Sequence, residues 1–179
     1  QRSVCANLAQ LAAAETTAAD DVVLAFLPFA NAFGLLYCLV HSLARGATVV
    51  TAPRFNPEQV LGLVAKHRVT RMPAAPPVIA MLAVAPVVDR HDLSSLRKIS
   101  CGGSRLEPKH ARRCLQRWAA KGWTEMTIKQ GFGMTELSPV MCINNGEEQT
   151  AAQLKQERKP RDESCGLLLP NTEVRVADL

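Results

Sequence analysis

Residues 96–136 read LRKISCGGSRLEPKHARRCLQRWAAKGWTEMTIKQGFGMTE, and they predict a strand–helix–strand unit with a glycine-containing loop after each strand. The short apolar run at 96–101 is typical of a buried strand, and a second strand is predicted at 125–129. Between them, residues 108–121 carry apolar side chains at helical spacing, which predicts an amphipathic helix. Because a crossover helix joins parallel strands, this unit predicts a parallel sheet.

The chain before this unit repeats the alternation of strands and helices. Asn56, Pro57 and Gln59 form a helix start, with a capping side chain, a proline in the first turn and a capping-box partner. Other helices are predicted at 3–19 and 33–45, strands at 22–27, 47–51 and 69–72, and a proline-rich loop at 73–77 that is neither helix nor central strand. The pattern predicts an α/β fold in which helices flank a parallel sheet.

Four irregular loops each follow a predicted strand, and this order indicates a ligand site. In a parallel sheet, loops that follow strands emerge at one edge, where open α/β folds bind ligands. We therefore expect the loops to line one cleft although they lie far apart in sequence. They are residues 28–34, 73–77, 102–106 and 130–136.

The composition excludes several classes of protein. The chain has 179 residues, 47% of them hydrophobic, and its apolar runs are too short to span a bilayer. The formal charge is +5, but aromatic residues make up only 4%, so a solvated basic helix face is favoured over nucleic-acid binding. Six cysteines without a CxxC pair predict reduced, buried thiols in an intracellular protein. The N-terminus shows no signal-peptide pattern.

The segment 130–136, QGFGMTE, carries the chemically most informative residues. Its two glycines allow the backbone to approach a ligand closely, and Phe132 has a ring that can stack on a base. Thr135 offers a hydroxyl donor, and Glu136 offers a hard oxygen ligand for Mg²⁺. On residue types alone, an ordinary glycine-rich turn remains the alternative.

This segment resembles the Gly-Tyr-Gly-Met-Thr-Glu motif of the AMP-forming adenylating enzymes, with Phe132 in place of Tyr. That family includes acyl-CoA synthetases, 4-coumarate–CoA ligases, luciferases and peptide-synthetase adenylation domains. Other family elements follow in the expected order. They are LPFANAFG at 27–34, RGA at 45–47, RFNP at 54–57, the proline loop at 73–77, DLSSLR at 92–97, CGGSRL at 101–106, CG at 165–166 and PNTE at 170–173.

The resemblance implies a role for individual residues. Thr135 would hydrogen-bond the α-phosphoryl group and Glu136 would hold Mg²⁺, and these two are the implied catalytic residues. The implied ATP and AMP contacts are Gly102, Gly103, Ser104, Gln130, Gly131, Phe132, Gly133, Met134 and Thr135. The implied acyl pocket comprises Asn31, Ala32, Phe33, Gly131, Pro139 and Val140, and Arg54 is the implied contact with coenzyme A.

The resemblance also implies a domain organisation and an activity. Residues 1–163 would belong to the α/β region of the large N-terminal domain, and 164–179 would begin a β-barrel subdomain. The phosphate-binding loop and the C-terminal domain would lie outside the chain, which is expected to be an inactive fragment by itself. The expected whole protein is a cytoplasmic or peroxisomal ligase of fatty acid or phenylpropanoid metabolism that joins a carboxylic acid to CoA through an adenylate.

Two departures from the family pattern bear on this expectation. Asn31 replaces a frequent His, and Cys101 replaces a Ser; without a neighbouring His, Cys101 is predicted to be a buried thiol and not a nucleophile. Two alternatives stay open: an adenylation domain or luciferase-like member of the same family, and a non-catalytic nucleotide-binding or interaction module.

Overall fold

The computed structural model of the chain describes residues 1–144 and 164–177. The strands are β1 Val22–Ala25, β2 Thr48–Thr51, β3 Arg71–Ala74, β4 Lys98–Cys101, β5 Thr127–Gly133, β6 Val140–Ile143 and β7 Leu167–Leu168. The α-helices are α1 Arg2–Ala14, α2 Ser42–Ala44, α3 Pro57–His67, α4 Pro76–Val84 and α5 Pro108–Ala120. A π-helix, Phe33–His41, runs into α2, and 3-10 turns occupy Pro86–Arg90 and Thr135–Leu137.

The strands form one mixed sheet in the order β2-β1-β3-β4-β5-β6-β7. Strands β1 to β5 pair in parallel, as the alternating pattern predicts. Strands β6 and β7 are added antiparallel, which the sequence analysis did not predict. Strand order reverses after β1, because β2 lies on one side of it and β3 on the other. Such a reversal opens a crevice at the carboxyl ends of the strands.

Each face of the sheet packs against its own helices. On one face, α3, α4 and α5 cover the larger apolar core, which includes Leu61, Met72, Leu82, Ile99 and Trp118. On the other face, α1 and the π-helix cover a smaller cluster that includes Leu11, Ala25, Tyr37 and Ile143. Crossovers β2–α3–β3, β3–α4–β4 and β4–α5–β5 advance in one direction along the sheet and share one face, as right-handed connections require.

The predicted start of α3 is confirmed in atomic detail. The Asn56 side chain accepts a hydrogen bond of 3.1 Å from the Gln59 backbone N–H, and Pro57 occupies the first turn. At the other end, Arg68 adopts a left-handed conformation with φ of 51°, which closes the helix.

The first predicted helix was too long, because α1 ends at Ala14. Glu15 is already extended, with φ of −114° and ψ of 138°, and its side chain turns into the interior of the protein. A tertiary contact of Glu15 therefore ends the helix, although alanines continue the helical composition beyond it.

The prediction for residues 73–77 was wrong. Pro73 lies in β3, a central strand, and Pro76 and Pro77 form the first turn of α4, which the sequence analysis missed. The Ala74 carbonyl accepts from Gly102 on the β4 side, so Pro73, one residue earlier, faces β1. The β1–β3 register consists of Val23 with Arg71, so the missing N–H of Pro73 falls beyond it.

Two further predictions need correction near the C-terminus. Residues 130–133 belong to β5, and residues 173–176 form no strand in the described part of the chain. The polar excursion predicted at 144–163 lies almost wholly outside the described residues. The division at residue 163 and the β-barrel subdomain expected from 164 onward stay predictions.

Candidate active site

A cavity of about 240 Å³ opens where β1, β4 and β5 end. Its walls come from the segment after β1, the loop after β4 and the second half of β5, as the parallel-sheet argument predicted. Thirteen of the residues proposed from sequence line it. They are Asn31, Ala32, Phe33, Gly102, Gly103, Gln130, Gly131, Phe132, Gly133, Met134, Thr135, Pro139 and Val140.

Three proposed residues lie outside this wall. Glu136 follows Thr135 in the 3-10 turn Thr135–Leu137 and is exposed. Ser104 is exposed in the loop after β4. Arg54 is exposed in the segment that joins β2 to α3. The structure therefore places Glu136 and Ser104 next to residues that line the cavity, whereas Arg54 lies in a separate connection.

The wall formed by β5 depends on its glycines. Residues up to Gln130 pair in parallel with β4, whereas Gly131 to Gly133 pair antiparallel with β6, and the register shifts between Phe132 and Gly133. A Cβ on Gly133 would lie 2.0 Å from the Pro139 carbonyl oxygen, a distance no side chain tolerates. The bend that carries Phe132 and Met134 to the cavity therefore requires glycine at 133.

The loop after β4 combines close packing with an exposed backbone. A Cβ on Gly102 would stand 3.3 Å from the Phe33 ring, which packs against it. Gly103 has φ of 88°, and no atom lies within 4 Å of the Cβ position there. Gly103 thus exposes backbone to the cavity in a conformation that favours glycine.

Two polar side chains that line the cavity hold its loops in place. Gln130 Oε1 accepts a 2.9 Å hydrogen bond from the Leu106 N–H, which ties the glycine loop to β5. Asn31 Oδ1 accepts a 2.8 Å bond from the Phe33 N–H at the start of the π-helix. Asn31 therefore has a local structural role in addition to its place in the wall.

Four further polar side chains line the cavity, and the sequence analysis missed all of them as site residues. We call them the polar floor: Glu15, Tyr37, Ser100 and Lys129. Ser100 and Lys129 are paired neighbours on β4 and β5, so both point to the same face of the sheet. Glu15 and Lys129 are buried despite their charge, with 4% and 8% of their surface exposed.

Hydrogen bonds and ion pairs join the polar floor to residues beneath it. Tyr37 donates a 3.0 Å hydrogen bond to Glu15 Oε1, and a 2.9 Å bond joins its hydroxyl to Ser100 Oγ. Glu15 Oε2 accepts a short hydrogen bond from the Lys98 ammonium and lies 3.7 Å from Arg71 Nη1. Both oxygens of the buried carboxylate therefore have protein donors.

The charges of this network follow from their surroundings. Burial alone would raise the pKa of Glu15, but the Lys98 ammonium and hydrogen bonds from Lys98 and Tyr37 outweigh it and lower the pKa. Burial lowers the pKa of Lys98 to about 8, against the opposing effect of Glu15. Burial and the Glu15 charge raise the pKa of Tyr37 well above its usual value. At neutral pH the pair is thus a carboxylate and an ammonium, beside a neutral phenol.

A second carboxylate neutralises the arginine beneath the floor. Asp21 Oδ2 lies 2.5 Å from Arg71 Nε, and Asp21 Oδ1 accepts bonds from the Thr70 hydroxyl at 2.7 Å and from Arg97 at 3.2 Å. Burial opposes ionisation of Asp21, but hydrogen bonds from Ala18, Thr70 and Arg71 lower its pKa. Arg71 is therefore held mainly by Asp21 and only at longer range by Glu15.

The cysteines act as buried thiols and not as nucleophiles. Burial raises the pKa of Cys38, Cys101 and Cys114 to about 12, so these thiols stay protonated at neutral pH. This confirms the interpretation of Cys101, whereas Cys5 is exposed. Within residues 1–144 and 164–177, side chains form no cluster of three or more His, Cys, Asp and Glu residues suited to a metal ion. No helix in the same ranges is long and apolar enough to cross a membrane.

Comparisons with known proteins agree with this geometry. The family model described as AMP-binding enzyme matches residues 1–179. The chain is 36% identical over 185 aligned positions to 4-coumarate–CoA ligase 2 of Oryza sativa subsp. japonica, covering 99% of this chain and 30% of that ligase. It is 34% identical over 158 residues to probable 4-coumarate–CoA ligase 3 of Dictyostelium discoideum, covering 88% of this chain and 26% of the relative.

A solved structure supports the fold assignment. The amide bond synthetase McbA from Marinactinospora thermotolerans aligns with 98% of this chain and 32% of its own length, with a TM-score of 0.76 and 24% identity. The chain thus spans between about a quarter and a third of the proteins it matches. Because the family model covers the whole sequence and both ligases exceed 30% identity, the chain belongs to the AMP-binding enzyme family.

Proposed function

We propose that this chain forms part of an ATP-dependent carboxylic acid–CoA ligase. The observation that carries the proposal is the single cavity into which Asn31–Phe33, Gly102–Gly103 and Gly131–Thr135 converge, in a chain of the AMP-binding enzyme family. The proposed substrates are small molecules: a carboxylic acid, ATP and coenzyme A.

The proposed reaction has two steps. In the first, a carboxylate oxygen of the acid attacks the α-phosphorus of ATP, and the bond to pyrophosphate breaks. In the second, the thiol sulfur of coenzyme A attacks the carbonyl carbon of the adenylate, and AMP leaves. The acid is already ionised at neutral pH, so the first step needs oriented donors rather than a general base.

The residues of this chain supply those donors and a shaped wall. Gly102, Gly103 and Ser104 would place backbone beside the adenine, and residues 130–134 would run between nucleotide and acid. The hydroxyl of Thr135 would donate a hydrogen bond to the α-phosphoryl group. Asn31, Ala32, Phe33, Pro139 and Val140 would enclose the acyl group. All these residues except Ser104 line the cavity.

The donor set at the rim fits a Mg²⁺ ion that arrives with the nucleotide. Glu136 places one carboxylate next to the Thr135 hydroxyl, and Mg²⁺ bound with phosphates needs only one or two protein carboxylates. When bound there, the ion would offset negative charge on the phosphates. Arg54 remains the proposed contact with coenzyme A, supported by its exposure and its place in the family pattern.

The test is acid-dependent exchange of radiolabelled pyrophosphate into ATP, with the native polypeptide that carries this chain. Thr135→Ala is expected to lower exchange on the order of tenfold to a thousandfold, because a transition-state donor is lost. Glu136→Ala is expected to raise the Mg²⁺ concentration needed for half-maximal exchange. Thr124→Ala, at an exposed turn before β5, is the control and should change neither quantity. Undiminished exchange in both site variants would refute the assigned roles.

The same preparation separates the two alternatives. Exchange followed by acyl transfer to a phosphopantetheinyl carrier protein, and not to coenzyme A, would identify an adenylation domain. Nucleotide binding without exchange, over a wide panel of acids, would identify a non-catalytic module.

A further inference from the structure

The polar floor is unusual for a pocket that would receive an acyl chain. Small-molecule pockets are lined mainly by apolar side chains with a few placed polar groups. The upper wall of this cavity fits that description, with Phe33, Val140 and Ile143. The floor instead presents an ionised carboxylate, an ammonium and two hydroxyls.

A plain hydrocarbon tail is a poor match for this floor. Covering buried charged or hydrogen-bonding groups with methylenes removes their remaining solvation and supplies no replacement partner. A tail that ends in an oxygen acceptor supplies one. The chemistry at the floor therefore discriminates between acids by the group farthest from the reacting carboxyl.

The donors at the floor come from Lys129 and Ser100, not from Glu15. Glu15 accepts from Tyr37 through one oxygen and from Lys98 through the other. An ammonium carries three N–H donors, so Lys129 accommodates a substrate acceptor alongside whatever protein groups it contacts. Ser100 adds a hydroxyl on the neighbouring strand, in register with Lys129.

The sign of the charge beneath the floor favours an anion. Lys98 and Lys129 are both buried near the single carboxylate of Glu15, while Arg71 is matched by Asp21. An anionic acceptor also makes stronger hydrogen bonds than a neutral one, which widens the discrimination.

We propose that this cavity selects dicarboxylic acids, whose second carboxylate binds Lys129 and Ser100 at the polar floor. This inference rests on the proposed ligase function and names its substrate class. Lys129 is then a specificity-determining residue, and Glu15 with Tyr37 and Lys98 positions the floor.

The test compares matched acids on the native polypeptide that carries this chain. Hexanoic, 6-hydroxyhexanoic and hexanedioic acid differ only in the terminal group, and so do cinnamic, 4-hydroxycinnamic and 4-carboxycinnamic acid. We expect kcat/KM for adenylate formation to be at least about tenfold higher for each diacid than for its monoacid. That ratio exceeds the statistical factor of two from the equivalent ends of hexanedioic acid. A preference for the hydroxy acid over the diacid would overturn the assignment of a carboxylate.

Variants assign the preference to the floor. Lys129→Met is expected to lower the diacid-to-monoacid ratio by about tenfold or more, Lys129→Arg to keep most of it, and Ser100→Ala to reduce it less. Lys66→Met, at an exposed lysine in the last turn of α3, is the control and should leave the ratio unchanged. A ratio measured within one preparation does not depend on the active fraction, so partial misfolding does not obscure it.

The failures are distinguishable. If no acid supports exchange, the proposed function fails and this inference fails with it. If monoacids are activated as well as diacids, or Lys129→Met leaves the ratio unchanged, the ligase function stands and the inference is overturned.

Discussion

The two faces of strands β3, β4 and β5 bury very different side chains on the same backbone. Met72 and Ile99 point to the face covered by α3, α4 and α5, where the core is apolar. Arg71, Lys98 and Lys129 point to the other face, beneath the end of α1 and the π-helix. Buried ion pairs stabilise little compared with apolar packing, so their presence on one face alone indicates that this face serves the cavity.

The largest expected effect comes from breaking the ion pair beneath the floor. Glu15→Ala leaves Lys98 buried without its carboxylate and should lower the free energy of unfolding by about 3–5 kcal/mol. The double variant with Lys98→Met removes both charges and should recover a large part of that loss. Urea denaturation of the native polypeptide that carries the chain measures both.

A simple sum of the two single effects would contradict this prediction. Additive losses would mean that Glu15 and Lys98 do not share one interaction. The apolar and ionic faces would then differ in composition but not in the way their residues depend on one another.

The apolar face should respond to lost volume alone. Leu82 is fully buried in α4, and Leu82→Ala should lower the free energy of unfolding by about 2–5 kcal/mol through lost burial and a cavity. Val84 lies two residues along the same helix and is 53% exposed, so Val84→Ala is the control, with an effect within about 0.5 kcal/mol. Equal losses from both variants would mean that α4 does not pack as described.

The sequence predicted the parallel core and most of the cavity, since both follow from local signals. Strand–helix alternation and loop position sufficed to bring Asn31, Gly103 and Thr135 together. The antiparallel addition of β6 and β7 was not predicted, because it depends on a bend at Gly133 that is visible only once Pro139 packs against it.

The polar floor could not be predicted from local pattern. Glu15 and Lys98 are 83 positions apart, and each by itself resembles a solvated charge at the end of a helix or strand. One signal was present: Lys98 and Lys129 interrupt two short strands predicted to be buried, at positions that alternate with Ile99 and Ile128. Helix α4 was missed for a different reason, because prolines at its first turn resemble a loop.

The pH dependence of stability should separate the two faces. The folded-state pKa values of Glu15 and Asp21 lie below their usual 4.5 and 3.8, so their ionised forms stabilise the protein above that range. As pH falls through the folded-state values, these carboxylates take up protons and that stability is lost.

The variants make the contrast measurable. The stability difference between the unsubstituted protein and Glu15→Gln should narrow as pH falls below about 4.5, the usual value for Glu. The difference produced by Leu82→Ala should stay constant over the same interval, since no titratable group is removed. Urea denaturation at a series of pH values gives both curves. A Glu15→Gln difference that is flat from neutral to acid pH would mean that Glu15 is not held as a buried carboxylate.

The smallest expected effect distinguishes the edge of the sheet that carries the cavity from a turn that does not line it. Gly103 follows β4 and lines the cavity, and Gly122 follows α5; their φ values are 88° and 80°, and a Cβ at either position meets no atom within 4 Å. Alanine at each should therefore lower the free energy of unfolding by a similar amount, about 1–2 kcal/mol, because only the left-handed backbone is strained. The open space beside Gly103, however, is the space the proposed nucleotide would occupy, so Gly103→Ala should also raise KM for ATP in the exchange assay while Gly122→Ala leaves it unchanged. Matched stability losses with unequal KM values would locate the ligand at the carboxyl ends of the parallel strands, and equal KM values would mean that the backbone at Gly103 does not face it.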